Sequence, residues 1–200
     1  MSPDVVTFLE SLPPGPLYGL ITAFAALENF FPPVPADTAV GLGAFLAGRG
    51  LMNPWVVFAL TWAANVGSGA AVYGLARRYG PGFFRGPLGR RLLSEHTLER
   101  IEREYIRHGT YGIFVARLLP VWRGMVMPFA GLVRLSPPRA LIPLALASAS
   151  YYGALIGLVT ALATNLDDVL RALHRVNTVF LVLGAALAAV IAIWIVRRMR

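Results

Sequence analysis

The chain has 200 residues, 56% of them hydrophobic and only 14% charged, well below the roughly 25% of soluble domains, so an ordinary soluble globule is excluded. It has no cysteine, which excludes disulfides, thiol catalysis and cysteine metal sites. The net charge of +8 comes from 18 arginines and no lysine, and in so apolar a chain the placement of that charge bears on membrane orientation before it bears on partners.

Residues 1–16, MSPDVVTFLESLPPGP, contain Asp4 and Glu10 and no basic residue, unlike the basic start of a secretory signal. Val5, Phe8, Leu9 and Leu12 make this stretch an expected interfacial helix. Residues 17–80 form a first repeat. Its apolar run from Leu17 is interrupted by Pro32, Pro33 and Pro35, and a helical pattern resumes over 36–48, so 17–48 is expected to be a hairpin of two half-crossings. A full span over 54–76 follows.

Eight arginines fall between Arg77 and Arg107, and residues 81–108 are expected to be a cytoplasmic connection by the positive-inside rule. Within it Ser94 can cap an amphipathic helix whose stripe is Leu98, Ile101 and Tyr105 and whose end is Gly109. Four glutamates interleave with the arginines, so a nucleic-acid partner is not expected.

Residues 109–163 form the second repeat, a hairpin over 111–133 and a span over 140–163. With Arg107 and Arg134 both cytoplasmic, 111–133 must enter and return on one side, with Pro120 as its break. Each arm has about a dozen residues, roughly 18 Å or half a bilayer. A last span over 178–196 returns Arg197 to Arg200 to the cytoplasm.

The fold expected is an all-α membrane protein, a single membrane domain over 1–200. It is an inverted repeat of a re-entrant helical hairpin plus a transmembrane helix, with an additional C-terminal transmembrane helix. A shift of 83 residues superposes Gly41 on Gly124, Pro54 on Pro137 and Ala64 on Ala147. Two proline-kinked spans in each half are the competing topology.

Glu28 and Asp37 flank the prolines of the first hairpin, and Arg117 and Arg123 flank Pro120 in the second: two acids facing two bases. Intramembrane charges are costly and should face a cavity or one another. One reading is a pair of salt bridges that locks the hairpin tips, with Asp37 also able to cap a helix. The other has Arg117 and Arg123 receive an anion, because guanidinium matches phosphate oxygens bidentately, while Glu28 and Asp37 act as counter-ions or proton carriers. Asn29 and Asn65 could add polar contacts or serve as caps.

ENFFPPVPAD at 28–37, NVGSGAAVYGLARRYG at 65–80 and RLLPVWRGMVMPFAG at 117–131 together resemble the DedA family, also called the SNARE-associated or VTT-domain family. The last segment fits the family pattern of Arg, two residues, Pro, two residues, Arg, seven residues, then Gly. The resemblance covers roughly residues 20–163, and Asp37 departs from the glutamate common near its place. It implies an inverted-repeat transporter with re-entrant hairpins that moves a phosphate-bearing membrane lipid between leaflets, with proton coupling in some bacterial members. It also implies functional roles for Glu28, Asp37, Arg117 and Arg123.

The cargo expected is undecaprenyl phosphate in a bacterial inner membrane, with phosphatidylethanolamine, or proton-coupled transport of a small ion or solute, as alternatives. Enzymatic activity, a cofactor and a metal are not expected, since His96, His108 and His174 fall in loops away from the arginines. Gly67, Gly69, Gly153 and Gly157 allow close helix packing within one bundle or in an oligomer.

Overall fold

The structure, a computed structural model, describes residues 12–31, 36–85, 109–162 and 178. The interfacial stretch before residue 12, Pro32, Pro33 and Pro35, the amphipathic helix of the connection, the three histidines and the C-terminal span lie outside those residues. Among the described residues every regular element is helical.

Helix α1 is Pro14–Leu27, α2 is Ala36–Gly48 and α3 is Pro54–Arg85. The described part of α4 is 109–118, followed by α5, Pro120–Leu132, and α6, Pro137–Ala161. Four of these helices open on proline, whose missing N–H would have no intrahelical partner there and whose fixed φ suits a first turn. Helix α1 starts inside the stretch expected to be interfacial, α3 runs nine residues beyond Ala76, and α6 starts at Pro137 rather than 140.

The 27 residues Pro54–Gly80 rise about 40 Å and the 25 of α6 about 38 Å, enough to cross a hydrocarbon core of roughly 30 Å. Helices α1 and α2, with 14 and 13 residues, reach only about 20 Å each. They form a hairpin. The Asn53 N–H donates to the Tyr18 hydroxyl at 2.7 Å, so α1 begins at the end of the molecule where α2 finishes and α3 starts. A Cβ on Gly43 of α2 would collide with Ile21 of α1, which places the arms in close contact.

The break between α4 and α5 is local backbone chemistry. Leu119 is extended at φ −93 and ψ 117, the region that a following proline imposes, and Pro120 restarts the helix. Both α2 and α5 end in the same way. The Gly50 and Leu51 N–H groups return to the Ala47 and Leu46 carbonyls, and those of Arg134 and Leu135 return to Gly131 and Ala130. This is a Schellman cap, and its left-handed residue is Gly50 (φ 80) in one case and Arg134 (φ 53) in the other.

Helices α3 and α6 run antiparallel. Phe58 lies beside Gly153, the Ser148 hydroxyl donates to Asn65 Oδ1 at 2.9 Å, and Leu144 packs against Gly69. The crossing therefore falls near the middle of both helices. Buried apolar residues form one cluster at each end, around Phe45, Val57 and Ile156, and around Tyr73, Met127 and Leu144. Between them lies a polar layer. Large apolar side chains such as Leu20, Phe31, Trp55, Ile142, Leu146 and Leu158 point outward, as they do where the surroundings are hydrocarbon.

Candidate anion-binding site

Two interruptions of the helical chain, between α1 and α2 and between α4 and α5, deliver charged or polar side chains to that middle layer. Glu28 and Asn29 sit in the turn after α1, Asp37 in the first turn of α2, Arg117 in the last turn of α4 and Arg123 in the opening turn of α5. Asn65 comes from α3, and Ser148 and Tyr152 from α6. All of them are buried, Arg117 to 1% exposure and Asn65 and Tyr152 to 0%.

Arg123 holds both acids. Its Nη2 pairs with Glu28 Oε1 and, at 2.9 Å, with Asp37 Oδ1. Its guanidinium carbon lies 4.4 Å from the ring centre of Tyr151 and 5.6 Å from that of Tyr152. The second Glu28 oxygen accepts the Tyr152 hydroxyl at 2.7 Å and Asn65 Nδ2 at 3.3 Å. Arg123 is a cation near the N-terminus of a helix, the unfavourable end for positive charge, and the two carboxylates offset that.

Arg117 makes no ion pair among the described residues. Its Nη2 donates to Asn65 Oδ1 at 2.7 Å, and its Nη1 donates to Asn29 Oδ1 at 3.3 Å and to the Arg123 carbonyl at 3.1 Å. Asn29 is fixed in turn by donating to the Asn65 carbonyl at 3.0 Å and to Ser68 Oγ at 2.8 Å. Three guanidinium nitrogens, Arg117 Nε and Arg123 Nε and Nη1, lie buried without a hydrogen-bond partner.

The structure thus gathers Glu28, Asp37, Arg117, Arg123, Asn29 and Asn65, every candidate that it describes outside the prolines. Both ion pairs fall on Arg123, so the two acids are not shared out between the two arginines. Neither asparagine is a helix cap: Asn65 is in mid-helix and Asn29 lies beyond the end of α1. Asp37 directs Oδ1 to Arg123. Tyr152, Ser148 and Ser68 were not singled out in the sequence. The readable signal was that Ser148 and Tyr152, four apart, share one face of an otherwise apolar span, and that Ser148 is the position 83 beyond Asn65. Among the described residues no group of three His, Cys, Asp or Glu side chains is arranged to hold a metal.

Helices long enough to cross a bilayer, an apolar exterior and a buried ionic centre where broken helices meet define an integral helical membrane protein. The model of the VTT domain matches residues 34–161, and the chain belongs to that family. It is 28% identical over 119 residues to an uncharacterized membrane protein of Mycobacterium leprae, covering 60% of this chain and 53% of that protein. It is also 28% identical over 144 residues to one of Mycobacterium tuberculosis strain H37Rv, covering 69% and 65%. A Lactococcus lactis strain IL1403 protein named alkaline phosphatase-like is 26% identical over 184 residues, covering 86% of this chain and 83% of that one. The chain thus spans between half and two thirds of the length of the mycobacterial relatives. No solved structure matches it.

Proposed function

We propose that the protein moves a phosphate-bearing lipid between membrane leaflets, with undecaprenyl phosphate the first cargo to test and phosphatidylethanolamine the second. The observation that carries this reading is the pair of buried guanidinium groups with three unpartnered nitrogens. Buried donors are normally satisfied, and phosphate oxygens are acceptors of matching geometry. The N-terminal turns of α2 and α5 meet at the same place, and helix N-termini favour anions. The lipid tail stays in the bilayer against the apolar outer faces.

In this reading the hairpins are re-entrant and the two halves are inverted repeats. Asn65 bonds to Ser148, and Trp62 Nε1 donates to the Ala145 carbonyl at 3.0 Å; both pairs are 83 apart, the shift that relates the halves. Equivalent positions touch each other where a two-fold axis passes between antiparallel helices, and transporters of this kind bind substrate at such midplane junctions. The test is leaflet exchange of polyprenyl phosphate and of a phospholipid in proteoliposomes. The native chain should move one of them and Arg117→Ala should stop it, at matched incorporation. Failure of the native chain to move either lipid would remove the reading.

The meeting of Glu28 and Asp37 at one guanidinium nitrogen, Arg123 Nη2, sets two acids side by side within the middle layer. It supports a second reading, proton-coupled transport of a small ion or solute, which predicts gradient-dependent flux without lipid movement. The lactococcal name raises phosphate ester hydrolysis. The residues of the cluster serve binding rather than hydrolysis in our reading, and phosphate release by the purified protein would reverse that.

A further inference from the structure

Within the anion-receiving reading, on which this step rests, we infer that the two arginines have different tasks: Arg117 is the group that receives the phosphate, and Asn65 is the residue that keeps it available. Arg123 is neutralised twice over. Two carboxylates meet its Nη2 and an aromatic ring covers its face at 4.4 Å. Its two unpartnered nitrogens, Nε and Nη1, flank that Nη2, so an anion approaching either one approaches a carboxylate as well. The Arg123, Glu28 and Asp37 group has a formal charge of −1.

Arg117 hydrogen-bonds to neutral groups only among the described residues, although the charges of Arg123 and Glu28 lie nearby. Two asparagine carbonyls and one backbone carbonyl hold it by dipoles, which orient a cation without cancelling it. A guanidinium buried to 1% exposure without a directly paired carboxylate is electrostatically costly, and an anion relieves that cost most where no carboxylate is in contact. Its Nε lacks a partner and Nη2 makes one bond for its two hydrogens, so both have a donor left for an incoming oxygen.

Asn65 divides the two charge systems. Its Oδ1 accepts from Arg117 and from Ser148, and its Nδ2 faces Glu28 Oε2 and the Tyr152 hydroxyl, each at 3.3 Å. A carboxylate in its place would keep the bond to Arg117 and cancel the charge. An amide is the side chain of this size that holds Arg117 on one side and Glu28 on the other while remaining neutral. Asn65 is therefore a positioning residue for Arg117.

The test is binding of a short-chain alkyl phosphate monoester to the full chain in detergent micelles, by isothermal titration, with thermal unfolding of each variant as the fold check. Asn65→Asp should weaken binding by about 30-fold or more, because the new carboxylate competes for Arg117. Glu28→Gln, which keeps the shape and removes a negative charge, should tighten it by several-fold, roughly the effect of one partly screened charge. A purely structural role for both residues would weaken binding in both variants. Native-like affinity in folded Asn65→Asp, or weaker binding in folded Glu28→Gln, overturns the division of labour while leaving phosphate binding in place. No binding by the native chain removes the anion-receiving reading and this inference with it.

Discussion

The side chains of the middle layer are held by one another more than by the backbone, so the removal of one atom should be felt at its neighbours. Tyr152 is completely buried, and its hydroxyl is the closest neutral donor to Glu28, at 2.7 Å. Tyr152→Phe keeps the ring and the apolar packing but leaves Glu28 Oε2 with only the longer bond from Asn65. The expected loss is about 1.5–3 kcal/mol, the usual worth of a hydrogen bond to a charged group. A melting temperature in detergent equal to that of the native chain would show that the bond contributes nothing net. The charges of this layer were legible in the sequence, because acids and arginines in an apolar chain have few other places to be. Their partners were not. Nothing along the chain says that Glu28 will meet Arg123 rather than Arg117, since that choice depends on which turn of α5 faces the end of α1. Ser148 and Tyr152 were hidden for another reason: serine and tyrosine are common enough in apolar helices to carry little signal singly.

At the scale of elements, proline placement was the strongest guide, because a proline leaves few choices for the residue before it and for the helix that would contain it. It located the break at Leu119–Pro120 and the start of α3 at Pro54, whereas α6 starts at Pro137, three residues before the expected 140. The helix ends were less readable. Gly50 announces a left-handed cap, whereas Arg134 adopts the same conformation with a Cβ present, a state imposed by the bonds around it. Arg77 Nη1 donates to the Arg134 and Leu135 carbonyls at 2.8 and 2.7 Å, which fixes that cap from the side of α3. The two caps should therefore respond in opposite directions to exchange of their left-handed residue. Arg134→Gly relieves the steric cost while keeping the carbonyl that Arg77 uses, and should stabilise by about 1 kcal/mol; Gly50→Ala should destabilise by about as much. Thermal unfolding of the two variants side by side checks the pair, and a destabilised Arg134→Gly would mean that its exposed side chain matters more than its backbone.

For the molecule as a whole, the two ends of the α3 and α6 pair differ, and the difference bears on how access could alternate. At the end near Arg134, Tyr73 and Arg77 of α3 both bond the Leu135 carbonyl, and Gly131 lies so close that a Cβ there would collide with the Tyr73 carbonyl and the Arg77 nitrogen. That end is tightly closed. At the opposite end an apolar crevice of about 470 Å³ opens between Pro54, Trp55 and Phe58 on one side and Gly153, Ile156 and Gly157 on the other. Under the inverted-repeat reading, a second state exchanges these roles, so the crevice must close when the Tyr73 and Arg77 end opens. Gly157 is the place to test this, because a Cβ on it meets nothing within 4 Å, in contrast to one on Gly131. Gly157→Leu should fold with stability unchanged or raised by up to about 1 kcal/mol, since leucine is the better helix former. The new side chain fills the crevice and penalises only the state in which it closes. A penalty of about 1.4 kcal/mol on that state lowers its population roughly tenfold, and lipid exchange in proteoliposomes should slow by a similar factor. Exchange at the native rate in a folded Gly157→Leu would mean that the crevice stays open throughout the cycle, and that the conformational exchange takes place at the hairpin tips around Arg117 and Arg123.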